Sequence, residues 1–172
     1  MHLAQLNVAH LRAPLDSPEL ADFVDLLEPI NELSDAAPGF VWRLKAGDDP
    51  RETVDHDYGD HLVINFSVWA SREELWNFVY RSAHLPVLQR RREWFLRVAE
   101  PYSVMWWIPE GYIPSLAEGM ERLELLRREG PTPEAFTFKD FYDAPAGVSA
   151  SGGSPGAGSV AASLPAAAEV RK

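Results

Sequence analysis

Hydrophobic spacing along the chain switches between a period of two and a period near 3.6, and each switch marks an element boundary. The stretch "HLAQLNVAHL", residues 2–11, alternates as a strand does, with Leu3, Gln5 and Asn7 on one face and Ala4, Leu6 and Val8 on the other. A helix is predicted next. Ser17 can cap it, Pro18 suits its first turn, and Leu20, Phe23, Val24, Leu27 and Ile30 recur at helical spacing. Pro29 removes one backbone hydrogen bond and crowds the Asp25 carbonyl, which predicts a kink. "GFVWRLKA" (39–46) and "HLVINFSVWA" (61–70) are the second and third predicted strands, and the acidic tract between them, 46–60, reads as a long polar loop.

The second major helix opens with "SREE", a capping box in which Ser71 and Glu74 can satisfy each other's free amides. Leu75, Phe78 and Val79 form its core stripe, while Trp76, Tyr80 and His84 step along a neighbouring row; Pro86 is expected to end or bend it. A helical pattern resumes in "VLQRRREWFLRV", a fourth strand follows in "YSVMWWIP" (102–109), and a third helix runs from the Ser115–Glu118 capping box to Gly130-Pro131. The aromatics of "EAFTFKDFYD" are expected to pack back on the body. The order β-α-β-β-α-β plus a helix is the ferredoxin-like α+β plan, whose right-handed crossovers set the first and third strands side by side in mid-sheet. Both faces of the third strand are largely apolar, and one helix layer covers only one of them, so a homodimer is expected.

Composition narrows the function. Among 172 residues there is no cysteine, which excludes disulfides and thiol chemistry and fits a cytoplasmic protein. A formal charge of −10 opposes a nucleic-acid partner, and no apolar run is long enough for a membrane span. No signal peptide is evident at the start, and none of the five histidines forms an H-x-x-x-H pair, so no metal site is expected. Residues 144–172 are nearly all Ala, Gly, Ser, Pro and Val, and read as a disordered tail after a single domain over 1–143.

Three segments, "VYRSAHLPVLQRRREWF", "VMWWIPEGYIPS" and "RLELLRREGPTPEAFTF", together resemble an uncharacterised bacterial family, domain of unknown function 3291. The resemblance covers roughly residues 2 to 140. It implies a place among the dimeric α+β barrel proteins, which include the antibiotic-biosynthesis monooxygenases. Members of that superfamily usually pair their sheets across a two-fold axis and keep a pocket between sheet and helices. Their chemistry spans cofactor-free oxidation of polycyclic phenols, haem degradation and isomerisation, so the fold alone selects no reaction. One departure is visible: the family pattern implies a histidine after Gly111, and here Tyr112 follows, which removes a catalytic histidine from that point.

Candidate site residues sit on the central strands and the second helix. Asn65 and Ser67 share a strand face with Trp69, and Gln5 and Asn7 can share it from the first strand; such polar groups need partners or a ligand. The spacing of Asn65 and Trp69 is similar to that of cofactor-free anthrone oxygenases, where Asn and Trp hold a polycyclic substrate. The alternative is that these side chains bond one another or a buried water. His84 suits proton transfer near neutral pH, Arg81 suits an oxyanion, and Tyr80 completes the lining; a helix-capping histidine is the bland alternative. The expected ligand is a small planar hydrophobic molecule, handled without a cofactor. Asn7, Trp69 and His84 also resemble the trio that meets haem in haem-degrading relatives, so haem is the rival ligand, and a non-catalytic binding module the rival function. Arg90, Arg91 and Arg92 point about 100° apart, so at most one or two face inward, Arg91 among them.

Overall fold

The computed structural model describes residues 1–45 and 61–145. The expectations for a polar loop over 46–60 and for a tail lie outside them but for its first residues, 144 and 145. Strand β1 (His2–His10) leads through a 3₁₀ turn (Pro18–Leu20) into α1 (Ala21–Asp35). Then come β2 (Phe40–Arg43), β3 (Leu62–Trp69), α2 (Arg72–Arg81), α3 (His84–Gln89), α4 (Arg91–Trp94), β4 (Ser103–Ile108) and α5 (Leu116–Glu129). The four strands form one antiparallel sheet in the order β2-β3-β1-β4, with β1 and β3 in the middle as the crossover rule requires.

Two caps follow the sequence and one does not. The Ser71 and Ser115 hydroxyls accept from the Glu74 and Glu118 amides at 3.3 and 3.2 Å. Ser17 makes no side-chain cap: its backbone carbonyl takes the Leu20 amide in the 3₁₀ turn, and its hydroxyl is buried without a partner among the described residues. Helix α1 runs on through Pro29. The α1–β2 turn uses Gly39 at φ 73°, where a Cβ would stand 1.9 Å from a Glu74 carboxylate oxygen.

Each sheet face has its own cover. Helices α1 to α4 lie over the face that carries Leu3, Val63, Trp69 and Met105; the C-terminal segment returns to it through Phe136, which pairs with Met105. Over the other face α5 sets Leu123 and Leu126 against Leu6, Phe66 and Trp106. It approaches closely because Gly119 has no side chain: a Cβ there would lie 3.3 Å from Leu6. Ile64, Phe66 and Val68 are thus buried within one chain. The expectation of a homodimer rested on that face lacking cover, and α5 supplies it. Trp106 and Trp107 do point to opposite faces, Trp106 toward α5 through Glu118 and Trp107 toward Phe141.

Candidate functional site

The helix-bearing face of β4, β1 and β3 is organised in transverse rows, because residues opposite one another in an antiparallel pair project to the same side. Leu3 lies between Trp107 and Trp69, Gln5 between Met105 and Ser67, and Asn7 between Ser103 and Asn65. The middle row is closed and satisfied internally. The Trp69 indole N–H donates to Ser67 Oγ at 3.0 Å, and that hydroxyl donates to Gln5 Oε1 at 3.3 Å. All three residues are buried.

The Ser103–Asn7–Asn65 row is open. Asn65 is exposed and its two neighbours are half-buried, although β1 and β3 are the central strands. Among the described residues, no side-chain hydrogen bond is made by Asn7 or Asn65. On one side stands the cluster of Leu11, Leu20, Phe23, Val63 and Trp94, and on the other the cluster built on Leu3, Trp69, Leu75 and Met105. Among the described residues, the helices thus leave Asn65 exposed and Asn7 and Ser103 half-buried.

Trp69, expected to line a pocket with Asn65, is instead core. It is 1% exposed, with Phe40 edge-on at 5.5 Å and Phe78 stacked at 5.0 Å. Four residues along a strand separate its Cα from that of Asn65 by about 13 Å.

His84 is not a continuation of the Trp76–Tyr80 row. Helix α2 ends at Arg81, Ser82 is extended, and His84 opens α3. The Ser82 hydroxyl donates to the Phe78 carbonyl and accepts from the His84 amide, which fixes this corner. Pro86 sits comfortably in the first turn of α3 and breaks nothing. The His84 ring lies 5.0 Å from Phe78 and donates from Nδ1 to the Val79 carbonyl at 3.3 Å, leaving Nε2 as the basic nitrogen. Burial holds the imidazole below its ordinary pKa, against a smaller opposing effect of the Val79 carbonyl, so it is neutral at pH 7.

Arg81 lies elsewhere. It is exposed and lines a groove of about 290 Å³ between the end of α1 with the turn after it (Leu33, Pro38) and the α2 face of Glu74, Asn77 and Phe78. Phe78 thus separates Arg81's groove from His84 and Trp69, a role that its place in a core stripe did not reveal. Tyr80 packs on Trp76 at 4.3 Å and near Phe138 at 5.8 Å. Burial first, then the Tyr102 phenol, pushes its pKa up, so it remains a hydroxyl donor.

Two groups escaped sequence reasoning. Ser103 had a signal: it is the one polar residue besides Tyr102 in "YSVMWWIP", and in-register pairing with β1 puts it opposite Asn7. The contact between Arg91 and Tyr102 had none, since it joins α4 to the start of β4. Asn7, Trp69 and His84 do not meet on one open surface, so no step is assigned to haem. Among the described residues no group of three His, Asp or Glu could hold a metal ion, and no helix is long and apolar enough to cross a membrane.

Comparison with known families gives one match: a domain of unknown function, DUF3291, over residues 2–151. No curated protein and no solved structure matches.

Proposed function

We propose, for a chain that belongs to the DUF3291 domain family, a ferredoxin-like small-molecule enzyme that works by proton transfer on a planar, oxygen-bearing substrate. The open Ser103–Asn7–Asn65 row carries the reading. Asn65 is exposed and Asn7 half-buried, so a ligand can replace water at these carboxamides, whereas their neighbours Gln5 and Ser67 are already satisfied within the chain. A flat ligand with an oxygen substituent fits between two apolar clusters and gives these amides a partner. The strand order β2-β3-β1-β4, with α1 and α2 on one face, supports the ferredoxin-like plan. A paired barrel would use the face that α5 covers, so the reading is built on one chain.

His84 is the proton carrier in this reading, with a neutral imidazole and Nε2 as acceptor. The reaction class is enolisation, the step that isomerases and cofactor-independent oxygenases share. The test uses 2-tetralone in deuterated buffer. The wild-type protein should quicken α-hydrogen exchange, and His84→Gln should abolish the effect while binding persists. Asn65→Ala should weaken binding by ~1 kcal/mol, about fivefold, without lowering the melting temperature, because the side chain is exposed. Unchanged binding in Asn65→Ala, or equal exchange in His84→Gln, defeats the proposal.

A further inference from the structure

We propose that the groove between α1 and α2 is a second ligand site and takes a small zwitterion, with an ammonium group at Glu74, a carboxylate at Arg81 and an aliphatic stem between them. The inference is independent of the Ser103–Asn7–Asn65 row. It starts from two opposite charges that the fold brings to one cavity and leaves unpaired. Glu74, Asn77, Phe78 and Arg81 all line the groove, because positions i, i+3, i+4 and i+7 fall on one helix face. Leu33 and Pro38 supply apolar wall on the other side. At about 290 Å³ the groove is at the lower limit of small-molecule sites, which suits a fragment rather than a polycycle.

Each charge has a local duty that leaves it available. Glu74 closes the capping box of α2, where its Oε2 accepts from the Ser71 hydroxyl at 3.1 Å. The residue is half-buried, yet among the described residues its Oε1 has no hydrogen-bond partner and no cation pairs with the carboxylate. Arg43 and Lys45, the basic residues at the end of β2 and just after it, pair with Asp35 instead. Arg81 ends α2, where a cation complements the helix dipole. It is exposed, and none of the five N–H donors of its guanidinium is bonded among the described residues.

The groove is therefore polarised from end to end. The Glu74 carboxylate lies close over Gly39, in the turn that follows α1. Helix α1 stops just before that turn with no basic residue in its last turn, so its negative pole and the carboxylate reinforce each other. Arg81 makes the other end positive, two helical turns away, about 10 Å along the axis. A simple anion meets repulsion at the Glu74 end and a simple cation at the Arg81 end, whereas a zwitterion satisfies both. An extended stem of about five carbons, roughly 7 Å long, leaves each ligand charge within a side chain's reach of its partner. Charges this accessible to water reward a ligand only a few-fold each.

The test titrates 6-aminohexanoate, hexanoate and hexylamine into the isotope-labelled full chain and follows its amide resonances. The zwitterion should shift the Ala36 and Ala37 backbone amides and the Asn77 carboxamide, and bind about threefold to fivefold more tightly than either singly charged probe. Glu74→Gln keeps an acceptor for the Ser71 hydroxyl; it should erase the advantage over hexanoate and retain that over hexylamine. Arg81→Gln should do the reverse. Equal binding of the three probes, or the same change of both ratios in each variant, would overturn the assignment of the two charges. Shifts centred on Asn7 and Asn65, or no shift with any probe, would remove the groove as the site. Should Glu74→Gln fail to fold, the wild-type ratios, the shift map and Arg81→Gln decide the matter.

Discussion

Ser67→Ala tests whether the polar side chains around Trp69 are structural. The Ser67 hydroxyl is the sole link in a buried chain: it accepts from the Trp69 indole at 3.0 Å and donates to the Gln5 carboxamide at 3.3 Å. Its removal leaves one donor and one acceptor without partners, on residues that are 1% and 5% exposed. Each orphaned group costs about 1–3 kcal/mol, and some relaxation of Gln5 is expected, so the variant should lose ~2–4 kcal/mol. Urea unfolding should show a lower midpoint at an unchanged slope, and melting should fall by roughly 5–12 °C for a domain of this size. The double variant Gln5→Met with Ser67→Ala should recover part of the loss, since only the indole N–H then lacks a partner. A loss below ~0.5 kcal/mol would refute the argument. It would mean that water already serves these groups, and that Trp69 is accessible as the ligand reading first required.

Three other outcomes follow from named contacts. Gly39→Ala should cost at least ~1–2 kcal/mol in chemical denaturation, from left-handed backbone alone, and Glu74→Ala in the same chain should relieve only the clash with the Glu74 carboxylate, since its Cβ, 2.7 Å from the new methyl, remains. For His84, burial lowers the folded-state pKa below the ordinary 6.5, so the unfolded chain binds the proton first. Its contribution is therefore complete above pH 6.5 and is lost as pH falls through the lower folded value; the stability gap between wild type and His84→Gln should narrow from pH 7.5 to 5.5, and a constant gap would count against it. Glu118→Ala removes the acceptor of the buried Trp106 indole at 3.1 Å, for about 1–2 kcal/mol by denaturation. It should also let the Tyr112 phenol, raised chiefly by its bond to Glu118, return toward 10 in an ultraviolet titration.

The elements were legible where the signal is local. Alternation in "HLAQLNVAHL" and "HLVINFSVWA" marks β1 and β3 within a residue or two, and serine caps with a glutamate three positions on mark α2 and α5. The α2–α3 break was misplaced because Pro86 is conspicuous in sequence yet harmless in a first turn. The actual corner is set by the Ser82 hydroxyl bonding on both sides, and serine forms such bonds in many contexts. The position of α5 was hidden for a different reason. Its amphipathic stripe shows that it packs, but only the tertiary fold decides that Gly119 seats it on Leu6 and Phe66 rather than beside α1 and α2.

The same distinction explains why the candidate site was half legible. In sequence, Gln5 with Ser67 and Asn7 with Asn65 look alike: polar residues on one face of two neighbouring strands. Register separates them into two rows, but register alone does not say which row is open, because both could bond internally. Two non-local facts decide it. Trp69 turns its N–H onto Ser67 and closes the first row, and the two apolar clusters beneath the helices stop short of Asn65 and leave the second uncovered. Arg91 was one of three consecutive arginines in sequence. Only tertiary contacts distinguish it: Arg90 meets Asp22 and Glu93, while Arg91 meets a phenol. A charge run reads as a solvated face until the fold shows how differently its members are held: Arg90 between two carboxylates, Arg91 half-buried against Tyr102, and Arg92 exposed.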